Sequence, residues 1–172
     1  PDLTDIYELK LNPENENQYL LDNEWVDFDV ETIRLPVKIF GPIKWTFKRT
    51  VKKSRHGPII ENDQGVFAIR FAGMTDIRQV EQWYRLNKSK NIEDWLAAMD
   101  MRSIVSFNAI YADKDKNIVF LHNAAIPIRK ESIDWSFPVD GSDSSLIWHE
   151  KVPLKELPLI INPASGWLVS TN

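Results

Sequence analysis

The sequence predicts an α+β fold, and three observations carry that expectation. Residues 30–40 and 43–51, and again 58–61 and 66–71, are apolar, β-branched or aromatic runs. Gly41-Pro42 joins the first pair and a short polar loop ending in Gly65 joins the second, which is hairpin chemistry. Between residues 75 and 99 the apolar period lengthens from two to about 3.6 residues, the spacing of a helical face. From residue 103 the strand alternation returns. Sheets interrupted by two adjacent helices indicate α+β.

With 172 residues and 43% apolar content the chain can bury a core, so a single domain over residues 1–172 is expected, with no repeat or linker. The 21 basic and 25 acidic residues are dispersed apart from residues 48–55, which argues against the basic face of a nucleic-acid binder. That run reads as a solvated strand edge. Cysteine is absent, which excludes disulfides, a thiolate nucleophile and zinc-finger spacing. No apolar run approaches a membrane span and no charged-then-apolar leader is present, so neither membrane nor nucleic acid is an expected partner.

In chain order, residues 2–11 alternate around Ile6, Tyr7, Leu9 and Leu11 and predict a strand or a short helix. After the polar break at 12–17, Tyr19 to Leu21 and Trp25-Val26 flank Asp22-Asn23-Glu24, a tight hairpin. The runs on either side of Gly41-Pro42 are strands by composition. Ile77, Val80, Trp83, Tyr84 and Asn87 share one face of a helix with Thr75 or Asp76 as N-cap. A second helix begins at Asn91, with Asp94 at its third position and Ile92, Trp95, Leu96 and Met99 as a buried stripe. Residues 103–111 and 118–123 make another hairpin around the polar run 113–117. Residues 127–157 form a loop of a length usually kept for function or for covering something. Short strands at 159–161 and 167–170 flank Asn162-Pro163-Ala164-Ser165-Gly166.

Five short motifs follow one another in a fixed order: His56-Gly57-Pro58 before a hairpin with Ala68-Ile69-Arg70, two helices, Phe107-Asn108 leading to Tyr111-Ala112-Asp113, Ile126-Pro127-Ile128-Arg129, and Asn162-Pro163 followed by Gly166. This series resembles the penicillin acylase family of N-terminal-nucleophile amidohydrolases, whose relatives include cephalosporin and acyl-homoserine lactone acylases. The resemblance covers Asp2 to Asn172. It implies part of an αββα sandwich, mostly antiparallel strands and hairpins with one helical pair. In that family the large chain opens on a catalytic serine whose own α-amino group is the base. Here the first residue is Pro1, so the sequence resembles an interior fragment of the large (β) chain.

The resemblance implies a parent amidohydrolase that cleaves the linear amide of a penicillin or another small N-acyl compound, with this stretch inactive alone. Its partner is then the remainder of its own precursor, the α chain and the rest of the β chain, in a periplasmic or secreted parent. A non-enzymatic binding or structural module on the same scaffold is the alternative. Sheet faces left uncovered also predict self-association of the fragment.

Site residues follow by matching positions. Asn172 matches the family's oxyanion-hole asparagine, an amide that donates a hydrogen bond without a proton to lose; its other reading is a frayed terminal residue. Trp83 and Phe107 match positions lining the acyl pocket, or are core residues; Asn108 could orient an amide or satisfy a strand end. Asp2 and Asp5, with the Thr4 and Trp135 carbonyls, match a calcium site, or are solvated terminal acids. No cofactor is expected for the chemistry itself, and Ca2+ would be structural. His56 reads as a structural, hydrogen-bonded histidine, and His122 and His149 are isolated.

Overall fold

The computed structural model describes residues 2–170. Its first strands are β1 (Thr4–Glu8), β2 (Leu11–Asn12), β3 (Asn15–Leu21), β4 (Glu24–Asp27), β5 (Asp29–Phe40), β6 (Ile43–Lys53), β7 (Ile59–Asn62) and β8 (Gly65–Phe71). Helices α1 (Gln79–Lys88) and α2 (Ile92–Asp100) follow, then β9 (Ser106–Ala112), β10 (Ile118–Ala124), β11 (Val139–Asp140) and β12 (Leu159–Ile161). The fold is mixed α+β with mostly antiparallel strands and two helices, as the sequence predicts. Residues 2–11 resolve into strand rather than helix. Residues 167–170 are not a strand: the chain there runs without regular structure beyond Gly166, so their apolar character does not report pairing.

The described residues gather into two compact units. The unit made of Thr4–Phe71 and Arg129–Ile147 is strand and loop with one 3-10 turn at Ser144–Leu146. Its main sheet has the order β11-β1-β8-β7, with β1 antiparallel to β8 and parallel to β11. Strand β1 alternates, so Asp5 and Tyr7 point inward while Ile6 points out. Tyr7, Leu9, Tyr19, Leu21, Phe28, Ala68, Val139 and Leu146 form the core. The Tyr7 hydroxyl donates to the Leu146 carbonyl at 2.9 Å, which satisfies the one polar atom that burying this ring would strand. Strands β2, β3 and β4 form a meander whose Asp22-Asn23 turn has both φ values positive, 51° and 67°, the twist-compatible turn expected from those residues. At Gly141 an added Cβ would lie 2.3 Å from the Leu9 side chain and 2.7 Å from the Glu8 carbonyl oxygen, so only glycine lets the loop reach β1.

Strands β5 and β6 form a two-stranded sheet of their own, with one isolated bridge from Lys53 at the end of β6 to Pro58. Directly opposed residues share a face. The register Leu35↔Phe47 and Val37↔Trp45 therefore makes one face apolar, and Arg34↔Lys48 and Lys38↔Lys44 make the other cationic. Both faces are exposed.

In the other unit, residues 2–3, 72–128 and 148–170, α2 lies over the antiparallel sheet β12-β10-β9. Trp95 and Met99 from α2 meet Ala109, Val119, Leu121 and Leu157 in its core. The Asn91 side chain accepts from the Asp94 N–H at 2.8 Å, the expected cap. Helix α1 departs from expectation at its start: the capping position is Arg78, with no side-chain cap. Asp76 is instead drawn into bonds with Arg78 and with the Ser103 hydroxyl, which donates at 3.0 Å.

Candidate functional site

Helix α1 presents an unusual cross-section. Val80, Trp83 and Tyr84 are exposed, at 81%, 52% and 62%, as is Ile77 just before the helix at 86%, while the one buried residue of the helix is Gln82. Trp83 is nonetheless engaged on one side. Its ring centroid lies 6.0 Å from that of Phe107, tilted by 34°, so one wall is built from a helix and a strand 24 positions further on. Phe107 is half-buried against the α2 core. Two matched pocket residues are thus brought together, with the Trp83 ring open on its other side.

Asn108 follows Phe107 in sequence but alternates to the opposite sheet face. There its Oδ1 lies 2.6 Å from Nδ1 of His122, its cross-strand partner, so the amide and imidazole occupy one another rather than the wall. His122, isolated in the sequence, gains its partner only through the register of β9 with β10.

Behind the wall is a polar group for which local sequence carries no signal. Gln82 Oε1 accepts from the Ile104 N–H at 2.7 Å, and Asn123 Nδ2 donates to the Ile104 carbonyl at 3.3 Å. Both side chains are fully buried. Nearby, Arg102 donates to the Val152 carbonyl. The Arg78 guanidinium holds the Asp76 carboxyl down at about 2, so it stays ionised at any ordinary pH.

The Asn-Pro-x-x-Gly segment is a turn pinned to the start of β10. The Ile118 N–H donates to Asn162 Oδ1 at 2.8 Å and Asn162 Nδ2 donates to Asn117 Oδ1 at 2.9 Å. Gly166 has φ of +72° with open space around it, so the backbone angle selects glycine there. This turn leads toward Asn172, which lies outside the described residues.

Asp5 is 2% exposed and its Oδ2 accepts from Arg129 Nε at 2.8 Å; the Arg129 guanidinium also sits 5.8 Å from the Trp135 ring. Asp2 is exposed and belongs to the other unit. Among the described residues no group of three or more His, Cys, Asp or Glu side chains could hold a metal. A calcium ion needs six to eight oxygens. A carboxylate already engaged by a guanidinium does not fit that demand.

His56 is fully buried, its ring 4.6 Å from Tyr7 and 6.1 Å from Tyr19, with Ser54 Oγ 3.4 Å from Nδ1. Burial pushes its pKa down to about 4, with the Arg70 charge acting in the same direction, so the imidazole is neutral at pH 7. Sealed among aromatic rings, it is a packing residue.

A family model described as penicillin amidase matches residues 1–172. Penicillin G acylase of Escherichia coli is 27% identical over 175 residues, covering 99% of this chain and 20% of that protein. Acyl-homoserine lactone acylase PvdQ of Pseudomonas putida is 24% identical over 161 residues, covering 83% of this chain and 21% of that protein. Among solved structures, a thermostable penicillin G acylase from Alcaligenes faecalis superposes with a TM-score of 0.83 at 27% identity, covering 100% of this chain and 31% of that one. The chain thus spans about a fifth of the length of the curated relatives it matches.

Proposed function

Because the chain belongs to the penicillin amidase family, we propose that it supplies one wall of the acyl pocket and one oxyanion donor to an amidohydrolase that cleaves linear N-acyl amides. The observation that supports this reading is the Trp83–Phe107 contact, an aromatic surface half open to solvent at two positions that match the acyl-pocket lining. Apolar walls of this kind choose acyl groups by shape and burial.

In the proposed reaction an N-terminal serine Oγ attacks the amide carbonyl carbon while the serine α-amino group takes the hydroxyl proton. The C–N bond breaks, that proton passes to the leaving amine, and water then hydrolyses the acyl ester to a carboxylic acid. Asn172 donates its side-chain N–H to the carbonyl oxygen as negative charge develops there. The serine and its amine come from the remainder of a longer chain, so the 172 residues alone are expected to show no turnover.

Two substitutions in the longer protein test the reading. Trp83→Ala and Phe107→Ala should each change the ratio of kcat/KM between phenylacetyl and long-chain acyl amides, by about 1–3 kcal/mol per methylene-sized change in fit. An unchanged ratio with a lowered Tm would return both rings to the core. Asn172→Ala should lower kcat by about a hundred- to a thousandfold while leaving KM nearly unaltered. A folded Asn172→Ala protein with turnover within about threefold of the parent would show that another group is the donor.

A further inference from the structure

Gln82 and Asn123 are the fully buried amides of the unit that carries the wall, and they hold the backbone of one residue, Ile104, through the peptide groups on its two sides. The Ile104 N–H donates to Gln82 Oε1 at 2.7 Å, and the Ile104 carbonyl accepts from Asn123 Nδ2 at 3.3 Å. Gln82 Nε2 and Asn123 Oδ1 have no partner among the described residues. Burying a donor and an acceptor unmatched is unfavourable, so this is a poor way to gain stability.

Placement gives the two amides a second role. Gln82 immediately precedes Trp83 on α1, and Asn123 is the cross-strand partner of Phe107. Ile104 lies on the segment that enters β9 three residues before Phe107. The next residue, Val105, accepts from the Ala125 N–H at 2.8 Å, which ties the same segment to the end of β10. Leu86 packs α1 on the core, and the Gln82 bond adds a direct link from the helix bearing Trp83 to the segment that enters the strand bearing Phe107.

We propose that Gln82 and Asn123 are positioning residues of the acyl wall, setting the Trp83–Phe107 separation by holding the backbone N–H and C=O of Ile104. The inference rests on the acyl-wall reading above. Neither amide touches the acyl group; they act through the rings.

The test uses the longer, active protein with Gln82→Met, which keeps length and volume but loses the acceptor, and Asn123→Leu, which is close to isosteric. Both variants, with Trp83→Ala alongside, are assayed on phenylacetyl and long-chain acyl amides. Misplacing a substrate-facing surface is costly to fit. The Gln82→Met and Asn123→Leu proteins are therefore expected to shift the ratio of kcat/KM between the two amides by about fivefold or more, carried mainly in KM. A merely structural pair would lower Tm and scale both substrates together, which would overturn the proposal. It is also overturned if neither variant is recovered folded, since the amides then serve the fold alone. If Trp83→Ala shifts the ratio and the amide variants do not, only this inference falls. If none of the three shifts it, the acyl-wall reading falls with it.

Discussion

Helices α1 and α2 are separated by three residues and are opposite in construction. Helix α2 turns Trp95 and Met99 into the core and caps its first turn with Asn91. Helix α1 turns Val80, Trp83 and Tyr84 outward, buries Gln82, and starts without a side-chain cap. Both show the helical period in their apolar residues. The period says that a face exists; what the face meets is a property of the rest of the molecule. Helix α2 meets a sheet within the described residues, whereas α1 offers its face outward.

The contrast can be broken by mutation. Trp95→Ala should cost about 3–5 kcal/mol of unfolding free energy, because it removes the largest side chain of the α2 core. Val80→Ala should stay within about 0.5 kcal/mol in the 172-residue chain. Denaturant titration of both variants decides it, and equal losses would mean that α1 is as buried as α2.

A smaller effect separates the two helix starts. Asn91→Ala should cost about 1 kcal/mol, the usual worth of an N-cap, while Arg78→Ala removes no cap from α1. Calorimetry showing no change in Tm for Asn91→Ala would contradict the cap geometry.

The smallest expected effect is one of pH. Asp76, which bonds Arg78 and Ser103 ahead of α1, titrates at about 2 in the folded protein against 3.8 ordinarily. Its folded value is depressed, so its contribution is fully present above about pH 4 and is lost as pH falls from 3.8 toward 2. Because its partner Arg78 is solvent-exposed, screening keeps the contribution small. Amide exchange should therefore loosen at the start of α1 before α2 in that window. Simultaneous loosening would remove Asp76 from the account.

The same contrast shows what the sequence could disclose. The Asn91 cap, the Trp95 and Met99 stripe and the Asp22-Asn23 turn are encoded within a few residues of where they act, and they were legible there. The meeting of Trp83 with Phe107 was accessible only through matched positions, since no local period links a helix to a strand. Three features had no local signal at all. Gln82 and Asn123 look like surface residues until the fold encloses them. The Arg129–Asp5 pair spans most of the chain, so a carboxylate that matches a calcium position is found facing a guanidinium. The apolar run at 167–170 resembles a strand, yet strand formation needs a neighbour to accept its hydrogen bonds, and those residues have none in the described sheets.

The β5–β6 ribbon has a consequence for colloidal behaviour. An open ribbon whose longer strand runs 12 residues is a template on which strands of other molecules can grow. Two features oppose that growth. Pro36 has no N–H to offer an incoming strand. The row Arg34, Lys38, Lys44 and Lys48 would stand cation over cation at the roughly 4.7–4.8 Å repeat of an in-register stack. The other face carries one cation, Arg49 opposite Ile33, and its apolar remainder can be covered by a second layer about 10 Å away without adding a strand to either edge. Any contact through that face is thereby expected to be layered rather than fibrous. The guard depends on ionic strength: at 1 M salt, where screening acts over about 3 Å, the lysine row no longer resists stacking and Pro36 is what remains.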